Sequence, residues 1–168
     1  MFGFHVSGID YSEIGCKQAE AVLRKERVEG NVMCASFFTP SKEMVEVFDV
    51  VVSFAVTEQF DDTKACTQAL SAFLKPGGML ITTVPNLKGF IGMLQKSLNK
   101  PPYDIRLPIG MDVLLDAHES SELEIPSSGY FLFAYLGGIN FSGIEKNPFA
   151  FWAKKLVLFS LQEIIRVT

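Results

Sequence analysis

Residues 48–86 read FDVVVSFAVTEQFDDTKACTQALSAFLKPGGMLITTVPN, and this stretch decides the fold. Asp49–Phe54 is short, apolar and rich in valine, which predicts a strand buried on both faces. Asp61 and Asp62 can cap a helix and suit its positive end. Apolar residues then recur at helical spacing, at Ala65, Ala69, Leu70, Phe73 and Leu74. The stretch therefore begins as a strand followed by a helix.

The second half of the stretch completes a strand–helix–strand unit. Lys75-Pro76-Gly77-Gly78 is expected to stop the helix, because proline cannot continue it and glycine accepts positive φ. Met79–Val84 is predicted to be a second buried strand. Two strands joined by a helix run parallel with a right-handed crossover, and open parallel sheets bind ligands beyond the carboxyl ends of their strands. We therefore expect function at Ser53–Gln59 and at Pro85–Asn86.

The flanking sequence continues the alternation of strands and helices. Phe4–Ile9 is predicted to be a strand ending in Asp10, and Ser12 can cap a helix running to about Arg27. The remaining predictions are strands over Val32–Phe37, Leu123–Ile125 and Tyr130–Tyr135, helices over Leu87–Leu98, Met111–His118 and Phe149–Val167, and a loop over Asn99–Pro108. This alternation is typical of an α/β fold, and the length suits a single domain over residues 1–168.

Composition excludes several classes of protein. The net charge is −4 and the pI about 5.2, whereas nucleic-acid binding needs clustered Lys and Arg. Cys16, Cys34 and Cys66 are scattered and odd in number, which predicts reduced thiols and a cytoplasmic protein. With only His5 and His118 present, no metal site is expected. No secretory signal and no apolar run of roughly 20 residues is found, so no membrane association is predicted.

Asp10 is the residue whose position most suggests binding. A carboxylate at the end of a strand, followed by a turn into a helix, is what a ribose-binding Rossmann-like fold uses. The reason is geometric, because one carboxylate accepts hydrogen bonds from the vicinal 2′- and 3′-hydroxyls. Asp at a strand end is also an ordinary turn residue, so the local pattern alone leaves both interpretations open.

Three segments carry a resemblance to a known family: VSGIDYSE (Val6–Glu13), FDVVVSFAVTEQFDD (Phe48–Asp62) and LKPGGMLITTVPNLKG (Leu74–Gly89). They resemble the class I S-adenosylmethionine-dependent methyltransferases, in particular the small-molecule branch with an S-x-x-x-x-E-H-F pattern after the fourth strand and L-K-P-G-G before the fifth. The resemblance extends from Val6 to about Tyr103. It implies a Rossmann-like, mostly parallel sheet with flanking helices, S-adenosylmethionine as cofactor, and a small-molecule O, N or C atom as methyl acceptor.

The resemblance also implies roles for particular residues. Asp10 would hold the ribose hydroxyls. The other implied cofactor-binding residues are Tyr11 and Ser12 beside the adenosine, Ala35, Ser36 and Phe37 near the adenine, and Ser53, Phe54 and Ala55 along the methionine side and the approach of the acceptor. Ser36 stands where the family usually has an acidic residue, so adenine recognition would rest on Phe37 stacking and on backbone groups. Gln59 stands where histidine is common, and it can hydrogen-bond but cannot titrate.

One motif of the family is expected but not found. The glycine-rich loop D/E-x-G-x-G-x-G would precede Val6, where only five residues stand. The first strand and helix are therefore predicted to be missing, which would leave two central strand edges unpaired. The sequence could be a fragment of a longer enzyme, the flanking strands could pair directly, or a second chain could fill the gap in a homodimer. Each reading predicts weak binding of S-adenosylmethionine by this chain alone.

The candidate catalytic residues are Glu58, Gln59 and His118. Methyl transfer is an in-line displacement that depends mainly on positioning, so the mechanism requires no base. The candidates also have non-catalytic interpretations: Glu58 as a surface carboxylate and His118 as a structural histidine. Two other functions stay open: a catalytically inactive methyltransferase-like module that acts through self-association or a partner, and a nucleotide-dependent oxidoreductase. The K-P-G-G element favours methyl transfer over the oxidoreductase.

Overall fold

Strands and helices alternate along the part of the chain that the computed structural model describes, residues 3–98 and 100–130. The strands are β1 (Val6–Asp10), β2 (Gly30–Cys34), β3 (Phe48–Phe54) and β4 (Leu74–Thr83), and the helices are α1 (Glu13–Glu26), α2 (Thr63–Ser71), α3 (Phe90–Leu98), α4 (Pro101–Asp104) and α5 (Met111–Glu119). Lys42–Met44 and Thr57–Gln59 form short 3₁₀ turns. The α/β prediction is confirmed.

The first strand–helix–strand unit forms for local reasons. Ser12 caps α1 as predicted, because its Oγ accepts a hydrogen bond from the N–H of Gly15 at 3.3 Å. The helix ends at Arg27, which adopts a left-handed conformation with φ of 55°. The chain then returns as β2, which pairs with β1 in parallel from Val6 opposite Gly30 to Asp10 opposite Cys34. The carboxyl ends of both strands therefore lie side by side.

β3 and β4 form a second two-stranded pair. Near the start of β3, the N–H of Phe48 donates to the carbonyl of Phe73 at 3.0 Å. Just past its end, the N–H of Ala55 donates to the carbonyl of Thr83 at 2.9 Å. Both strands thus advance in the same direction, and the predicted parallel strand–helix–strand arrangement is confirmed.

The boundary between α2 and β4 differs from the prediction. The helix ends at Ser71, and Lys75-Pro76-Gly77-Gly78 already belongs to β4. The physical reason is that the Phe73 carbonyl accepts hydrogen bonds from two backbone N–H groups where β3 begins. The chain is therefore already paired as a strand before it reaches the proline. Gly77 does adopt the positive φ expected of it, at 78°.

The boundaries of β2 and α3 also differ from the prediction. β2 ends at Cys34 rather than continuing to Phe37, because Ser36 starts a turn: its Oγ accepts from Phe38 N–H, and its carbonyl from Thr39 N–H, both at 3.3 Å. α3 begins at Phe90 rather than Leu87, since a tight turn from Pro85 precedes it.

The later predictions have mixed outcomes. The loop predicted over Asn99–Pro108 contains α4, a short helix with proline in its first turn, as helix starts allow. α5 confirms the helix predicted over Met111–His118. Leu123–Ile125 is not a strand. Tyr130 is not in a strand either; the rest of the strand predicted to Tyr135, and the helix over Phe149–Val167, lie outside the described residues.

The strands are less buried than predicted. Val50 and Val52 in β3 are 48% and 47% exposed, so the expectation of a strand buried on both faces is wrong. A two-stranded sheet leaves much of its surface open to solvent. Among the described residues, β1 pairs with β2 and β3 with β4, and the two pairs share no ladder. The direct pairing of β1 with β3, one way of closing the gap left by a missing strand, is therefore not observed.

The described chain divides into two compact units. In the first, residues 3–52 and 65–81, the buried apolar side chains are Cys16, Cys66, Leu70, Phe73 and Leu74. In the second, residues 53–64 and 82–130 without 99, they are Leu87, Ile109 and Ala117. None of the helices in the described ranges is long and apolar enough to span a membrane.

Candidate functional site

Asp10 lies at the carboxyl end of β1 and is exposed. Its Oδ1 accepts a hydrogen bond from the backbone N–H of Ser12 at 2.8 Å, which fixes the carboxylate in the turn before α1. Its carbonyl accepts from the N–H of Ala35 at 2.9 Å, so the residues that follow β2 begin directly beside it. The structure thus joins the predicted Asp10 and Ala35 through one backbone hydrogen bond.

The aromatic residues near this strand end are accessible. The rings of Phe37 and Phe38 stack with centroids 4.3 Å apart, and Phe37 is half-buried while Phe38 and Tyr11 are exposed. The hydroxyl of Ser12 is already used as the cap of α1. The adenosine-side residues of the sequence prediction therefore gather at the carboxyl ends of β1 and β2, with aromatic surface available for stacking a planar base.

Gly15 also shapes this corner, and the sequence analysis missed it. A Cβ at Gly15 would lie 2.8 Å from Cγ of Asp10 and would contact Oδ2 as well. Glycine in the first turn of α1 therefore leaves the space that the Asp10 carboxylate occupies. The available signal was a glycine inside a helix, where it is less favourable than alanine.

Three buried polar side chains, Ser53, Thr57 and Glu58, lie at and just after the end of β3. Their exposed fractions are 2%, 0% and 0%, and none of their side-chain oxygens has a hydrogen-bond partner. The Glu58 backbone is held in place, since its carbonyl accepts from the N–H of Leu107 at 2.7 Å. Buried polar atoms are seldom left unpaired in folded proteins, so this group is a candidate for binding or proton chemistry.

The loop that carries this group has an unusual backbone. Ala55 adopts φ of 53°, in the left-handed region that a residue with a Cβ seldom enters. The side-chain amide of Gln59 donates to the carbonyl of Ala55 at 2.7 Å and closes the loop. Phe54, between the strand and this loop, is exposed. Strained backbone concentrates at functional sites, and Gln59 here holds the strained residue in place.

The environment of Glu58 favours its protonated form. Burial raises the pKa of Glu58, while its own backbone N–H and the charge of Arg106 act in the opposite direction and offset the rise only in part. A carboxyl group with a raised pKa can hold or accept a proton nearer neutral pH. Of the three candidate catalytic residues, Glu58 is the one whose side chain is unengaged.

Both ring nitrogens of His118 are engaged. Nδ1 lies 2.7 Å from the carbonyl of Leu114, which can only accept, so Nδ1 carries a proton. Nε2 lies 3.1 Å from the hydroxyl of Thr82, just before the end of β4. His118 thus links α5 to the end of β4, and its proposed role as a base stays a prediction.

Other kinds of site are less well supported. Over residues 3–98 and 100–130, no group of three or more His, Cys, Asp and Glu side chains is placed to hold a metal ion. An open cavity of about 690 Å³ lies between the end of α1 and the start of β2, lined by residues such as Leu23, Arg27 and Gly30. It is at the amino end of β2, whereas Asp10 is at the carboxyl end of β1. Asp10, the main candidate for cofactor binding, therefore lies outside this cavity.

Comparison with known proteins supplies the family. No curated protein matches the chain. A family model described as a methyltransferase domain matches residues 1–119, which is most of the chain. The match confirms the resemblance to methyltransferases, while the small-molecule branch and the missing glycine-rich loop stay predictions. The chain belongs to the methyltransferase-domain family, with its α/β fold of parallel strands.

Proposed function

We propose that this domain uses S-adenosylmethionine to methylate an O, N or C atom of a small molecule. The observation that carries the proposal is the exposed Asp10 carboxylate, oriented by Ser12 at the carboxyl end of a parallel strand. A carboxylate offers about four lone-pair sites, and the described hydrogen bonds use one of them. The remaining sites can accept the two hydroxyls of a ribose.

The assignment of the other cofactor residues follows the family resemblance. Tyr11, Ala35, Ser36 and Phe37 would surround the adenosine, and their placement around the ends of β1 and β2 supports that role. Ser53, Phe54 and Ala55 would line the methionine side and the approach of the acceptor. The acceptor would be methylated by in-line displacement at the sulfonium, for which positioning supplies much of the rate. Glu58, whose protonated form is favoured, would orient the acceptor by donating a hydrogen bond.

Substituting Asp10 tests the proposal. Each hydrogen bond to a charged group contributes about 1.5–3 kcal/mol, and 1.4 kcal/mol corresponds to tenfold in affinity. We therefore expect Asp10→Asn to weaken binding of S-adenosylmethionine about tenfold or more. Ligand-observed NMR is the suitable measurement, because it reaches millimolar dissociation constants and the chain alone is expected to bind weakly.

A matched control is available in the first turn of α1. Glu13→Gln removes the same charge from an exposed position, and it should leave the affinity nearly unchanged. Equal affinities for Asp10→Asn and the native chain would refute the ribose assignment. Complete absence of binding to the native chain, up to the highest cofactor concentration tested, would count against cofactor use by this chain.

A second candidate function is supported by the exposed apolar strands. Val6, Val50 and Val52 are each nearly half exposed, and exposed apolar surface is typical of interaction sites. A catalytically inactive methyltransferase-like module would use such surface for self-association. Sedimentation equilibrium over a range of concentrations tests it. A monomer at all concentrations would exclude self-association, and a dimer that binds no cofactor would favour the inactive module.

A further inference from the structure

We propose that Cys16 and Cys34 are a redox modification site, which an oxidant of the peroxide class converts into an intramolecular disulfide. The two residues lie on α1 and at the last position of β2, and both are free thiols in the described structure. The proposal concerns the thiols alone and does not depend on the cofactor or on methyl transfer.

Hydrogen bonds fix the thiol of Cys16 at the ends of two strands. Its Sγ lies 3.3 Å from the carbonyl oxygen of Asp10 and 4.0 Å from that of Met33. Asp10 is the register partner of Cys34, and Met33 immediately precedes Cys34. The Cys16 thiol therefore lies beside the end of β2, where Cys34 is the last residue. A disulfide would bring the two sulfurs to roughly 2.05 Å of each other.

The two thiols differ in access to solvent. Cys34 is exposed, whereas Cys16 is only 6% exposed. The neighbouring Cys34 thiol, followed by burial, raises the pKa of Cys16 to about 11. Cys16 therefore stays protonated at neutral pH. Because Cys34 is exposed and Cys16 is buried, Cys34 is the group that meets an oxidant and Cys16 is the resolving thiol.

The chemistry balances with hydrogen peroxide as the oxidant. The Cys34 sulfur attacks one peroxide oxygen, the O–O bond breaks, and one water leaves, which gives a sulfenic acid at Cys34. The Cys16 sulfur then attacks the Cys34 sulfur, the S–O bond breaks, and a second water leaves as the S–S bond forms. Two thiol protons end in the two waters, and two electrons pass from the sulfurs to the peroxide. A dithiol reductant reverses the modification.

The test treats the reduced full chain with hydrogen peroxide, unfolds it in denaturant to block the remaining thiols with an alkylating reagent, and analyses the intact and digested protein by mass spectrometry. We expect loss of two hydrogen atoms, one cross-linked peptide pair containing Cys16 and Cys34, and an alkylated Cys66. Dithiothreitol should restore three alkylatable thiols. Cys66 provides the matched control, because it is also buried but lies on α2.

Single substitutions separate the two steps. Cys34→Ser should abolish the disulfide, and Cys16→Ser should stop the reaction at a Cys34 sulfenic acid that dimedone traps. Cys66→Ser should behave like the native chain. Because Cys34 is exposed, its variant keeps the test valid even if Cys16→Ser fails to fold. A disulfide that involves Cys66 or joins two chains, or no disulfide after Cys34 has been oxidised, would overturn the proposal.

Discussion

Replacing Glu58 with glutamine should stabilise the protein, and more so at high pH. The Glu58 side chain is fully buried, and neither carboxylate oxygen has a hydrogen-bond partner. Folding therefore removes a carboxyl group from water without replacing its hydrogen bonds. Glutamine preserves the size and shape of the side chain but cannot ionise, so the substitution isolates the cost of the charge.

The sign of the pH dependence follows from the direction of the pKa shift. Burial raises the pKa of Glu58 in the folded chain above the roughly 4.3 of an unfolded glutamate. At pH values below that ordinary pKa, Glu58 is protonated in both the folded and the unfolded chain, so its ionisation does not lower the stability. At higher pH the unfolded chain releases its proton while the folded chain keeps it, so stability falls as pH rises up to the folded pKa. The glutamine variant does not lose stability in this way as the pH rises.

The size of the effect follows from the burial. An unpaired buried polar group costs about 1–3 kcal/mol, and a charged one costs more. Glutamine is also polar and would also be unpaired, so we expect a gain of about 1–3 kcal/mol at pH 8 and a smaller gain at pH 5, where the unfolded glutamate has already begun to ionise. For a chain of this size, 1 kcal/mol moves the melting temperature by about 2–4 °C, which gives a rise of roughly 2–12 °C at pH 8.

Urea and thermal unfolding followed by circular dichroism at pH 5 and pH 8 provide the measurement. Glu43→Gln is the control, because Glu43 is exposed in a 3₁₀ turn and should show no such pH dependence. Arg106→Gln removes the cation that favours the carboxylate, so it should lower stability at pH 8 and have no such effect in the Glu58→Gln background. A loss of stability in Glu58→Gln that is equal at both pH values would refute the reasoning, because it would mean that the carboxyl group has a partner.

Two glycine substitutions give further tests. Gly15→Ala should improve the helix propensity of α1 by about 1 kcal/mol but displace the Asp10 carboxylate, so the affinity for S-adenosylmethionine should fall about tenfold without a lower melting temperature. NMR titration beside Gly8→Ala, whose Cβ meets nothing within 4 Å, checks it, and unchanged affinity contradicts it. Gly92→Ala should lower stability by about 1–3 kcal/mol, because its Cβ would lie 2.6 Å from the Leu87 Cα and the backbone cannot yield cheaply. A melting temperature at or above that of the native chain would show that α3 accommodates the methyl group.

Local chemistry explains which elements were predictable. The capping of α1 depends on Ser12 and the next three residues, and the sequence shows all of them. The end of β4 nearest α2 depends instead on hydrogen bonds from Val47 and Phe48 to the carbonyl of Phe73. Those donors lie about one helix and one strand away along the chain. Boundaries set by distant partners cannot be found from periodicity, and the predicted start of β4 failed for this reason.

The candidate site divides in the same way. Asp10 could be singled out because a strand end, a turn and a helix cap occur together in a few residues. The burial of Glu58 could not, because its exposed fraction depends on a later segment, which reaches it through the hydrogen bond from Leu107 N–H, and the local sequence does not show this. The meeting of Cys16 and Cys34 likewise required the register of β1 with β2, which composition does not contain.

Asp10 and Glu58 have the same functional group in opposite surroundings. Asp10 is exposed and fixed by a backbone N–H, so it stays a ready acceptor for neutral hydroxyl donors. Glu58 is enclosed and unpaired, so it favours the proton. If this domain binds the cofactor, substitution at Asp10 should change affinity with little change in stability. Substitution at Glu58 should change stability with little change in affinity.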